Sequence, residues 1–183
     1  MARRCCCRSY EIYCFLINTY TSRMATEIEH KYKVTGNEYI QGAVSSTYFR
    51  QGYLTTQKEC VVRVRIAGER AYLTIKGENK GASRAEYEIE IAQDMAQSML
   101  DTMCQSPIIE KTRYIYPYKG HTWEIDHFLG DNEGLVIAEI ELKSEEESYE
   151  KPPFLGQNVT GIARYYNSNL AIRPYSTWSD EEK

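Results

Sequence analysis

Charged and apolar residues alternate with a period of two along most of this chain, and this constrains the fold more than any other feature. That period puts successive side chains on opposite faces of a β-strand, whereas a helix repeats every ~3.6 residues. Glu27, Glu29 and Lys31 alternate with Ile28 and His30, and Arg63 and Arg65 with Val62, Val64 and Ile66. Thr74 and Lys76 alternate with Leu73 and Ile75, and Arg84, Glu86, Glu88 and Glu90 with Tyr87, Ile89 and Ile91. Lys111 and Arg113 fall in a strand-like run over residues 109–116, Glu124 and Asp126 flank Ile125, and Glu139, Glu141 and Lys143 alternate with Ile140 and Leu142. Residues 47–54 form a further β-rich run whose polar face carries only Arg50.

Turn residues separate these runs at 67–70, 77–83, 119–120 and 130–134, close enough for antiparallel neighbours. A helix capped near Asp94 is predicted to place Met95, Ala96, Met99, Leu100 and Met103 on one face and to end before Pro107. A second helix is predicted near residues 37–44 and a helical turn within 159–171. His30 and His127 sit opposite the charged face and read as structural, His121 falls in a turn, and Glu145, Glu146 and Glu147 read as a solvated run.

Like charges stand two apart within single strands: Glu27 and Glu29, Arg63 and Arg65, Glu86 and Glu88, Lys111 and Arg113, Glu124 and Asp126, Glu139 and Glu141. Each pair repels without a compensating partner, and acidic and basic strands facing each other across a closed barrel would supply one. Composition agrees. Leu, Ile, Val and Phe number only 36 of 183, a shortage that would suggest disorder at high net charge, but the net charge is −4 and 16 Tyr and 2 Trp supply apolar surface. No apolar run is long enough to span a membrane as a helix.

Four of the six cysteines, Cys5, Cys6, Cys7 and Cys14, lie in the first 14 residues, where neither periodicity nor capping signals appear. Residues 1–23 are therefore expected to be a poorly ordered extension, 24–175 one domain and 176–183 a tail. Adjacent thiols without spacers suit tetrahedral zinc poorly. Cys60 and Cys104 alone in the remainder point to a reducing, cytoplasmic setting. Residues 24–183 carry a net charge of −7. A lumen lined by both signs suits a polyphosphate held with a divalent metal, bases on phosphate oxygens and carboxylates on Mg²⁺ or Mn²⁺. The basic residues lie within acidic rows rather than on an exposed stripe, which argues against nucleic acid. There is no P-loop, so side chains must hold the phosphates.

These motifs resemble the CYTH, or triphosphate tunnel metalloenzyme, family in its single-domain, bacterial inorganic triphosphatase-like form. The resemblance rests on Glu27-Ile28-Glu29-His30-Lys31 as ExExK, then Gln51-Gly52-Tyr53-Leu54, Arg63-x-Arg65, Thr74-x-Lys76-Gly77 and Arg84-x-Glu86-x-Glu88. It continues through Glu110-Lys111-Thr112-Arg113-Tyr114, Glu124-x-Asp126 and Glu139-x-Glu141, so that it covers about residues 25–174. It implies an α+β, mainly antiparallel β fold: an eight-stranded closed tunnel barrel with a charged lumen and a few flanking helices.

Carried over by position, Glu27, Glu29 and Glu139 resemble ligands of the metal that grips the phosphates. Glu86, Glu88 and Glu141 resemble the acids near a second metal and the attacking water, forming with Lys31 the implied catalytic set. Asp126, with Glu124, resembles a further metal or neighbouring acid. Lys31, Arg63, Arg65, Lys76, Lys111 and Arg113 resemble the phosphate clamp, joined by Arg84 and, from the tail, Arg164. The family often has an acid just before the last Arg-Tyr pair; Ile162 and Ala163 stand there instead. The implied activity is metal-dependent hydrolysis of inorganic triphosphate to diphosphate and phosphate, by a monomer or homodimer without nucleic-acid or membrane partners. The alternatives are a class IV type adenylate cyclase and a non-catalytic polyphosphate- or nucleotide-binding module.

Overall fold

The structure, a computed structural model, describes residues 21–22, 28–57, 59–78 and 85–183. Its strands are β1 (Thr21–Ser22), β2 (Ile28–Val34), β3 (Ser45–Gln57), β4 (Cys60–Ala67) and β5 (Arg70–Gly77), followed by β6 (Glu86–Ile91), β7 (Gln105–Tyr118), β8 (His121–Leu129), β9 (Val136–Leu142) and β10 (Leu155–Asn158). Helices are α1 (Tyr39–Gly42), α2 (Gln93–Thr102) and α3 (Asn167–Leu170). The fold is mainly antiparallel β with few helices, and every predicted strand is present.

Strand number and closure differ from expectation. One sheet of ten strands runs β1-β6-β5-β4-β3-β7-β8-β9-β2-β10, and among the described residues its two ends do not pair. Closure of eight strands would require β6 to meet β2. Instead Thr21 and Ser22 pair with Glu88 and Tyr87 of β6, and β10 takes the free edge of β2. The rest of the expected extension, residues 1–20 and 23, lies outside the described residues, as does most of the 77–83 turn. The hairpin between β7 and β8 turns on Lys119 and Gly120, both at positive φ (48° and 85°), the backbone that matches strand twist in a two-residue turn.

The apolar faces pack outside the charged one. Trp123, Ile125, Ala138, Ile140 and Tyr32 are buried beneath Tyr39 of α1 and Phe154. On the other half of the sheet, Val64, Ile66 and Ala71 are buried against Ala96 and Leu100 of α2. That helix is where predicted but presents a narrower stripe: Met99 packs with Ala96 and Leu100, while Met95 and Met103 flank the contact and are exposed. His30 and His127 lie on the outer face, bonded to Tyr149 and Tyr39, in the structural roles expected. His121 opens β8 and, with the Lys143 N–H, engages Glu147, so only Glu145 and Glu146 of the acidic run are exposed.

The charged face is itself zoned. Ile109, Phe128 and Ile137 are two positions along from Lys111, Asp126 and Glu139 and share their face, yet they pack with Val159, Tyr165, Leu170 and Trp178 of the C-terminal segment. One end of the inner face is therefore filled by an apolar plug.

Candidate active site

Register places the charged side chains side by side. On β2 and β9, Glu29 stands opposite Glu141 and Lys31 opposite Glu139, while Glu139 stands opposite Glu124 of β8. Arg113 of β7 lies opposite Asp126 of β8. Two of these juxtapositions, Glu29 with Glu141 and Glu139 with Glu124, are like-charged and repulsive on their own.

Arg113 resolves the second. Its guanidinium donates to Glu124, to both Asp126 oxygens at 2.6 Å, and to Glu139 at 3.0 Å. Lys31 lies 2.8 Å from Glu29 and donates to Glu139. Lys111 donates to Asp126, and both are almost wholly buried, 2% and 0% exposed. Buried charges of this kind persist only when paired.

A second cluster lies on β4, β5 and β6. Glu88 accepts from Arg63 at 3.4 Å, Arg65 at 3.1 Å and the Thr74 hydroxyl at 3.0 Å, and Lys76 lies 2.9 Å from Glu86. Curvature of the sheet brings the two clusters around a cavity of about 280 Å³ reached by strands β3 to β8, with Phe49, Arg65, Tyr72, Glu88, Arg113 and Glu124 in its wall. The compensation expected across the lumen is thus chiefly lateral. Most ion pairs join adjacent or next-adjacent strands, because side chains on one face of neighbouring strands are already within reach.

Electrostatics separates the carboxylates. Burial, then the nearby Glu139 charge, pushes the Glu29 carboxyl up to about 7 despite Lys31. Glu139 goes the other way: burial and Asp126 oppose its charge, but Lys31, Arg113 and Lys111 outweigh them and hold it below the usual range. Burial also opposes the Asp126 charge, and Arg113 and Lys111 overcome it, keeping Asp126 far below the usual carboxylate range. Burial depresses Lys111, with Asp126 acting against it.

This distribution separates the implied ligands. Asp126 has its oxygens engaged by two cations and serves to hold Lys111 and Arg113. Glu29 and Glu139 stand on either side of Lys31, and their carboxylate oxygens are the donor chemistry a hard divalent cation requires. Among the described residues, no three carboxylate, His or Cys side chains are gathered at metal-binding spacing. Glu27 lies outside the described residues, as does Arg84. Glu141 is exposed on β9.

Arg164 does not join the cluster. It lies over the Tyr165 and Trp178 rings, with Glu182 4.0 Å away, on the C-terminal segment. The tail residue beside the cluster is Tyr166, whose ring lies 5.7 Å from the Lys31 ammonium. The sequence pattern puts Arg50, not Phe49, on the polar face of this strand; the structure turns Arg50 outward onto Gln97 and Glu110 and sets Phe49 among Arg65, Lys111 and Arg113. Thr74 was seen as part of an alternation but not as a partner of Glu88.

A family model described as the CYTH domain matches residues 25–175. An inorganic triphosphatase of Acetivibrio thermocellus is 46% identical over 157 residues, 86% of this chain and 100% of that protein. An inorganic triphosphatase of Nitrosomonas europaea is 38% identical over 152 residues, 80% of this chain and 97% of that protein. The crystal structure of an inorganic triphosphatase superposes with a TM-score of 0.64 at 35% identity, covering 81% of this chain and 96% of the other. With the family model spanning most of the sequence and these relatives matched along nearly their whole length, the chain belongs to the CYTH domain family.

Proposed function

We propose that this protein hydrolyses inorganic triphosphate to diphosphate and phosphate with the help of Mg²⁺ or Mn²⁺. The observation that carries the reading is a pair of unmet donors: the Nε atoms of Arg63 and Arg65 are buried without a hydrogen-bond partner in the protein, beside a cavity walled by both signs of charge. Buried guanidinium N–H groups left open in this way suit phosphate oxygens, which accept several bonds at once. The two relatives named inorganic triphosphatase add weight.

In this reading Arg63, Arg65, Lys76 and Arg113 take phosphate oxygens, and Lys31 is aimed by its two carboxylates at the same chain. Arg84 is assigned to the same phosphate chain by the family motif. Glu86 and Glu88 are paired with Lys76, Arg63 and Arg65 and are not gathered with Glu141 at metal-binding spacing, whereas Glu29 and Glu139, with Glu27, would hold divalent metal. Bound there, such ions neutralise phosphate charge and lower the pKa of water. A water oxygen attacks the terminal phosphorus, the bridging P–O bond breaks, diphosphate leaves with the bond electrons, and exposed Glu141 takes the water proton. Two free cysteines, Cys60 and Cys104, fit a reducing cytoplasmic setting, and among the described residues no helix is long and apolar enough to cross a membrane.

The test supplies inorganic triphosphate, ATP or thiamine triphosphate with Mg²⁺ or Mn²⁺ and identifies every product. Phosphate and diphosphate released mainly from inorganic triphosphate support the reading. Cyclic AMP from ATP, or tight binding without product, would overturn it. Glu29→Gln is expected to lower kcat at least ~100-fold while circular dichroism and the melting temperature stay close to wild type. Near-normal turnover would remove Glu29 from the metal site.

A further inference from the structure

Phe49 sits at the centre of the clamp without carrying charge. On β3 it stands directly opposite Lys111 of β7 and Ala67 of β4, so Arg113 and Arg65 are its same-face diagonal neighbours. Such diagonals are within reach of aromatic and long side chains. The ring receives all three cations: Arg113 at 5.6 Å, Arg65 at 5.8 Å and Lys111 at 5.9 Å from its centroid. These are distances at which an ammonium or guanidinium is attracted to the ring face. Arg65 also lies 5.3 Å from the Tyr72 ring, so two aromatic side chains flank its guanidinium.

Like charges on neighbouring strands repel, and each of these cations is also paired with a carboxylate off to one side of the ring: Glu88 for Arg65, Asp126 for Lys111, Glu124 and Asp126 for Arg113. Crowding is felt at Arg65, whose charge is disfavoured first by burial and then by Arg63 and Arg113. A neutral ring with a negative face draws all three cations toward one point without competing for the hydrogen bonds that a phosphate needs. A carboxylate at this position would satisfy the cations and close the site.

We propose that Phe49 is the positioning residue of the phosphate clamp, its ring holding Arg65 and Arg113 at the cavity wall, with Lys111 buried behind them, before substrate arrives. This rests on the triphosphatase reading for its substrate, and the side chain acts through the three cations. The first experiment measures binding of inorganic triphosphate to the full chain by calorimetry in metal-free buffer, where only the cations are read. Phe49→Leu is expected to weaken binding about ten-fold and Phe49→Trp to restore it to within about two-fold. Replacing Phe49 with phenylalanines bearing one, two and three ring fluorines keeps its shape, drains the ring face of electrons, and is expected to weaken binding step by step. In hydrolysis with Mg²⁺, Phe49→Leu is expected to raise KM with kcat within about two-fold of wild type. Affinity unchanged along the fluorine series, or a fall in kcat at constant KM, overturns the proposal. A wild-type protein that binds but does not hydrolyse triphosphate would refute the triphosphatase reading while leaving the binding comparison decisive for Phe49.

Discussion

Arg113 is the residue on which three carboxylates of adjacent strands depend. Its five N–H donors in a planar fork meet Glu124, Asp126 and Glu139 together, which a lysine ammonium on a flexible stem cannot reproduce. Arg113→Lys is therefore expected to lower stability by about 3 kcal/mol in urea unfolding, and kcat/KM for inorganic triphosphate at least ~100-fold. Loss of activity with full stability would mean that the carboxylates find other partners. The repulsive pairs were legible in the sequence because a period of two exposes them. Their remedy was not, since it depends on register, which sets Glu139 opposite Glu124 and brings Arg113 between them. Asp126 shows the same limit: its spacing resembles a metal ligand or a neighbouring acid, and its position makes it the counter-ion of two buried cations.

Among the elements, the strands were readable and the C-terminal segment was not. Seven alternating runs and the β-rich run at 47–54 became eight strands because local pattern and sheet burial agree. The tail has no such period, and its packing of Leu170 and Trp178 onto Ile109, Phe128 and Ile137 depends on contacts far apart in sequence. For that reason the pattern alone does not place Arg164, which packs over Tyr165 and Trp178. The segment ends in a charge clamp: Glu182 accepts from Arg173 at 2.8 and 2.7 Å and from the Ser179 N–H at 2.9 Å. The Arg173 hydrogen bond, then the Ser179 N–H, pull the Glu182 carboxyl down to about 2. Since the unfolded value is about 4.3, the stabilisation this clamp contributes is complete above that pH and disappears as pH falls through about 2. Trp178 fluorescence should therefore report loosening of the tail between these limits, and Glu182→Gln should remove that part of the acid response. An identical profile in the variant would assign the transition to other carboxylates.

On the scale of the whole molecule, the shortage of aliphatic residues is explained by where the apolar cores lie. They sit outside the sheet, under α1, α2 and Phe154, and at one end under the tail, while the middle of the inner face is given to charge. Sequence pattern showed that the faces differ, but not that one end of the charged face turns apolar. The expected extension bears on the same scale. Residues 1–20 precede β1 and lie outside the family match, which begins at residue 25, so their deletion is expected to leave kcat/KM within about two-fold. A large loss on deletion would assign them a part in the site. The deletion keeps Thr21 and Ser22 because they pair with β6 beside Glu88.

The apolar plug of Ile109, Phe128, Ile137 and Trp178 also bears on turnover. With that end of the inner face filled, arriving triphosphate and departing diphosphate share the remaining charged part of the face and occupy it in turn. Diphosphate is therefore expected to compete directly with substrate for that surface, and its release to bear on kcat.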